Sequence, residues 1–98
     1  MSFEDFLAAD ARLTILKELA RQSDGRLNET LLTTVLDTFG YKRSREWVRT
    51  QLRKLEELGA VTLMQAGTVL IASITRAGMD HVERRSLLEG VAKPSPEA

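Results

Sequence analysis

Gly59 divides this chain into two hydrophobic periods, and the change at that point constrains the fold more than any other feature. Before it, apolar residues recur at helical spacing. Ser2 with Asp5 three residues later marks a helix start, and Phe3, Phe6, Leu7, Leu13, Leu16 and Ala20, flanked by Ile15 and Leu19, carry an apolar face onward. The pattern allows one helix or two with a bend near Asp10, ending at the turn Ser23-Asp24-Gly25. A short extended piece, Arg26-Leu27, precedes Asn28, a good N-cap for a helix over 29–39. Its expected stripe is Leu31, Leu32, Val35, Leu36 and Phe39, with Gly40 as the stop. After the connection Tyr41-Lys42-Arg43, Ser44 caps a helix over 45–58 with Val48, Leu52, Leu55 and Leu58 inward and Trp47 on the flank, expected to pack against the first helix. Beyond Gly59 the runs 60–65 and 69–75 are apolar and rich in β-branched residues, and a turn containing Gly67 joins them as a hairpin. Thr75 is placed to cap a last helix over 76–88 with Met79 and Val82 inward.

That order (helix, short strand, helix, helix, hairpin, helix) predicts a mainly α chain with a small antiparallel hairpin, arranged as a winged helix-turn-helix. Three helices with a hairpin along one edge close a core that two helices would leave open. At 98 residues one domain is expected, spanning 1–92, with a disordered tail over 93–98. The core is modest, so Phe3, Phe6, Leu87, Leu88 and Val91 are expected to bury against a second copy in a homodimer.

Fourteen basic and fourteen acidic residues give a net charge of zero, which excludes a histone-like basic coat and an acidic disordered tail. No apolar run is long enough to span a membrane, and the first residues carry acids where a signal peptide carries bases, so a cytoplasmic location is expected. Without cysteine there is no disulfide, thiolate site or cysteine nucleophile. His81 is the single histidine and reads as a surface residue; Glu56 and Glu57 diverge on a helix, and the glycines fall mainly at element ends. No enzyme, cofactor, metal or small-molecule substrate is expected.

Neutrality hides a cluster. Residues 1–41 carry a net −3 and residues 55–98 a net −2, whereas Lys42, Arg43, Arg45, Arg49, Arg53 and Lys54 against Glu46 give 42–54 a net +5. The stretch from Ser44 through Val48, Leu52, Leu55 and Gly59 to Val61 resembles the recognition-helix segment of ArsR- and MarR-type winged-helix regulators. Thr75-Arg76-Ala77-Gly78 is similar to the T-x-x-G that ends the wing in the same superfamily. The Ser-Phe-Glu-Asp-Phe-Leu start and Lys-Pro-Ser-Pro end also resemble small winged-helix proteins of Mu-like prophages. The resemblance implies this fold and a duplex-DNA-binding regulator.

The residues support that expectation separately. Arg45, Arg49 and Arg53, four apart, form one column opposite the apolar stripe, although like charges at that spacing cost a helix about 0.2–0.5 kcal/mol per pair. In a helix-turn-helix this face enters the major groove, where Arg45, Arg49, Thr50 and Arg53 would meet bases or phosphates. Lys42, Arg43 and Ser44 would hold the backbone at the positive helix N-terminus. The same column also reads as a solvated face, with Arg49 paired to Glu46 and Arg53 to Glu56 or Glu57. The wing tip Met64-Gln65-Ala66-Gly67-Thr68 has no base to grip a second groove, which favours a rival reading as a protein–protein adaptor in phage assembly or DNA packaging. The DNA reading requires the three guanidinium groups to stand free of neighbouring carboxylates.

Overall fold

The computed structural model describes residues 2–96 and shows a mixed α/β chain of four helices and a three-stranded antiparallel sheet. Helix α1 (Phe3–Arg21) is continuous through Asp10, so the expected choice resolves to one helix of 19 residues. Both halves of its capping box form: Ser2 Oγ accepts from the Asp5 amide at 3.0 Å, and the Asp5 carboxylate accepts from the Ser2 amide at 3.4 Å. Strand β1 (Arg26–Asn28) leads into α2 (Glu29–Thr38), whose N-cap is Asn28. Ser44 caps α3 (Arg45–Glu57), and β2 (Val61–Ala66) and β3 (Val69–Ile74) make the hairpin. The short strand β1 pairs with β3, so β3 is central and the sheet order is β1-β3-β2.

Ala11, Ile15, Leu16 and Leu19 of α1 meet Leu32 and Leu36 of α2 and Val48, Leu52 and Leu55 of α3 in a fully buried core. Val61, Leu70 and Ala72 close it from the sheet. The expected α2 stripe needs correction. Its buried face is Glu29, Leu32 and Leu36, while Leu31 is 50% and Phe39 58% exposed. Phe39 is the C-cap and has left the helical register, and Leu31 sits a quarter-turn off the buried row.

Gly78 shows why the T-x-x-G segment needs glycine. Thr75 caps α4 (Arg76–Val82) by accepting from the Gly78 amide at 3.1 Å, and its hydroxyl donates to the Gly59 carbonyl at 2.6 Å. This brings α4 so close to the start of β2 that a Cβ at residue 78 would lie 2.4 Å from the Ala60 carbonyl oxygen.

The expected final helix over 76–88 is too long, since α4 ends at Val82 with Glu83 as its cap. The chain turns there because His81, expected on the surface, is fully buried and organises the return segment. The Leu88 amide donates to its Nδ1 and its Nε2 bonds the Ala92 carbonyl, both at 2.9 Å. Val91 is thereby buried within the same chain, and Leu88 is partly buried, leaving only Phe3, Phe6 and Leu87 of the expected dimer residues exposed. Pro94, expected in a disordered tail, is also buried, and its carbonyl accepts from Arg84 at 2.5 Å. Of that expected tail, Glu97 and Ala98 lie outside the described residues.

Candidate nucleic-acid interface

Helix α3 forms where it does because Ser44 accepts from the Trp47 amide at 3.1 Å and the apolar row Val48, Leu52 and Leu55 docks on α1 and α2. Gln51 is the polar member of the buried face. Its Oε1 accepts from Arg12 of α1 at 2.6 Å, and Arg12 also reaches the Gly90 carbonyl at 2.8 Å, so α1, α3 and the C-terminal return are tied at one point. Burial holds the Arg12 guanidinium below its ordinary pKa.

The segment before α3 is likewise anchored on α1. The Tyr41 hydroxyl donates to the Asp10 carboxylate, and burial, reinforced by that acid, pushes the phenol up to about 12. Arg43 makes a two-nitrogen pair with Glu4 at 3.0 and 3.2 Å, and its guanidinium lies 4.9 Å from the centre of the Trp47 ring. Trp47 itself is partly buried against the core. Lys42 is exposed, with its ammonium 3.8 Å from Asp37.

The requirement that all three guanidinium groups stand free of carboxylates is not met, because the middle of the column is bound to one and Arg45 lies 3.8 Å from the same one. Arg49 Nε and Nη2 donate to the two carboxylate oxygens of Glu29 at 2.6 and 2.9 Å, and Nη2 also donates to the Thr68 carbonyl at 2.8 Å. Glu29 is fully buried and accepts a further bond from the Leu70 amide at 2.7 Å. The arginine's hydrogen bonds hold the Glu29 carboxyl below its usual range despite burial, and the same bonds raise the Arg49 pKa. One ion pair thus fastens the first turn of α2, the middle of α3 and the hairpin turn. The expected partner of Arg49, Glu46, is not the one it uses.

Arg45 is half-exposed, with Nε 3.8 Å from Glu29, whose oxygens are already bonded to Arg49 and Leu70. Arg53 is exposed and makes no ion pair or hydrogen bond among the described residues; Glu56 instead accepts from the Leu63 amide at 3.3 Å. Lys54, left out of the expected contact set, is equally exposed and without an ion pair among the described residues. The Thr50 hydroxyl bonds the Glu46 carbonyl at 3.2 Å one turn back, yet its side chain remains on the outer face. The structure therefore gathers Arg45, Thr50, Arg53 and Lys54 on the open side of α3 and turns Arg43, Ser44 and Arg49 to internal uses.

Glu29 was missed as a key residue because an acid after an N-cap reads as ordinary helix-start chemistry. The available signal was its spacing of three and seven from Leu32 and Leu36, which places it on their buried row.

Among the described residues no helix is long and apolar enough to cross a membrane, and no three His, Cys, Asp or Glu side chains converge as a metal site would require. No family model matches the chain. No solved structure matches it. It is similar along nearly its whole length to two proteins. Uncharacterized protein gp26 of Escherichia phage Mu is 35% identical over 94 residues, covering 96% of this chain and 97% of that protein. An uncharacterized protein of Haemophilus influenzae is 35% identical over 99 residues, covering 99% of this chain and 95% of its own.

Proposed function

The chain belongs to the family of phage Mu gp26, and from that premise we propose that it is a winged helix-turn-helix module that binds duplex DNA through the outer face of α3. The element order and the hairpin packed beside α3 support the winged-helix reading. The observation that carries the DNA reading is the saturation of Glu29. Arg49 and the Leu70 amide take up the fully buried Glu29 carboxylate, so Arg45, half-exposed and 3.8 Å from it, is only loosely paired, and Arg53 is exposed without an ion pair among the described residues. Arg49 becomes the strut that holds α3 at a fixed angle to the hairpin. Lys42 and Lys54 add backbone contacts, and Thr50 lies between the two arginines to meet a base edge.

Arg45, Arg53 and two lysines make a weak monomeric contact, so useful affinity requires a pair of modules on one duplex. Phe3 and Phe6, 75% and 57% exposed on the first turns of α1, supply the apolar surface for that pairing. In this reading the protein is a small dimeric regulator.

A second reading as a protein–protein adaptor in phage assembly or DNA packaging is favoured by one feature. The hairpin turn has no base, and its Thr68 carbonyl is already bound to Arg49. Amide chemical-shift mapping with a short random duplex separates the two. DNA binding shifts Arg45, Thr50, Arg53 and Lys54 in a salt-sensitive manner. Silence across that face at low salt overturns the DNA reading and leaves the adaptor.

A further inference from the structure

Away from α3, a cavity of about 410 Å³ opens between the C-terminal half of α1 and the segment that follows α4. That volume lies within the range of small-molecule sites. Ala20, Val82, Pro94 and Pro96 give it an apolar floor and wall. Lys17, Arg21 and Arg84 bring three cations to its rim, against a single acid among the described residues, Glu83. Glu83 is itself engaged by Arg85, and Arg21 pairs with Glu18 at 3.1 Å. Lys17 and Arg84 have no carboxylate partner among the described residues.

Arg84 adds an independent feature. It is the one non-glycine residue among those described with a positive φ, 63°, a left-handed conformation that side-chain-bearing residues seldom adopt. From there its guanidinium donates to the Pro94 carbonyl at 2.5 Å, which holds Pro94 as a wall of the cavity. The backbone departure thus sits at the residue that both shapes the cleft and charges it.

We infer that this cleft binds a small organic anion: one negatively charged head on an apolar body. The head is met by Lys17 and Arg84, and the body lies on Ala20, Val82 and the two prolines. This site does not depend on the function proposed for α3.

The probe is anilinonaphthalene sulfonate, with neutral phenylnaphthylamine as its uncharged counterpart, titrated by fluorescence against the full chain. The sulfonate is expected to bind once per chain and to raise the thermal midpoint of unfolding. Lys17→Gln is expected to weaken it about fivefold while leaving the neutral dye unchanged, and Arg84→Gly, which also releases Pro94, is expected to weaken the sulfonate at least as much. Lys17 is exposed and unbonded to other described residues, so its change spares the cavity, whereas glycine suits the backbone at 84 and costs only the bond to Pro94. Lys17 and Arg21 also border a smaller groove beneath Phe39, which Arg84 does not line. A loss with Lys17→Gln alone therefore places the dye in that groove and overturns the proposal. Absence of saturable binding, or equal affinity for the neutral dye, overturns it as well.

Discussion

Arg49 grips both carboxylate oxygens of the fully buried Glu29, at 2.6 and 2.9 Å, and this pair decides how the basic helix is used. A buried carboxylate stripped of its guanidinium partner is costly, whereas the same pair intact needs no external anion. Glu29→Gln keeps the shape of the side chain, but its amide nitrogen cannot accept, so one of the three hydrogen bonds is lost and the other two weaken. It should lower unfolding stability by about 2–3 kcal/mol, read from chemical denaturation. Arg49→Ala should destabilise the fold as well, with the hairpin amides from Thr68 to Leu70 losing hydrogen-exchange protection first.

The same pair sets an acid limit. The Glu29 carboxyl is held below its ordinary value of 4.5, so the folded state binds fewer protons than the unfolded one near that pH. Its contribution is fully present above 4.5 and is lost as pH falls through the lowered value. Denaturation midpoints between pH 6 and pH 3, read for wild type and Glu29→Gln, should converge toward the acid end. A constant gap would contradict the assignment.

Gly78 tests the packing of α4 on the hairpin. A methyl group there meets the Ala60 carbonyl oxygen at 2.4 Å and the Ile74 side chain at 2.8 Å, and backbone cannot step aside as a flexible side chain can. Gly78→Ala should cost more than about 2 kcal/mol despite alanine's better helix propensity. A neutral or stabilising result would show that α4 does not approach β2 this closely.

His81 should matter for structure and not for chemistry. Replacing it with Phe leaves the Leu88 amide and the Ala92 carbonyl without their partners, an expected loss of about 2–4 kcal/mol. Exchange at the Leu88 amide should accelerate ahead of the core amides of α1.

Most of the architecture was legible because local chemistry and packing agree at the same residues. Asn28, Ser44 and Thr75 each cap the helix they were expected to cap, and Val48, Leu52 and Leu55 are buried as their spacing predicts. The end of α4 was not legible, because it is set by a histidine that folds the chain back on itself through residues 88 and 92. The candidate site was only half legible. Helical spacing placed Arg45, Arg49 and Arg53 in one column, but spacing within one helix carries no information about the pairing of Arg49 with Glu29, which lies on another helix twenty residues away in sequence. The local pairing expected for Arg49 lost to a more distant acid that burial had made the stronger partner.

The division of labour along α3 is tested most directly by the salt dependence of binding to a labelled random duplex, measured by fluorescence anisotropy. The wild-type log–log slope should fall by about two in Arg45→Ala/Arg53→Ala, a variant whose removed groups bear little on the fold. A double variant that binds with the wild-type affinity and slope would contradict the account, as would a wild-type chain that shows no binding at low salt.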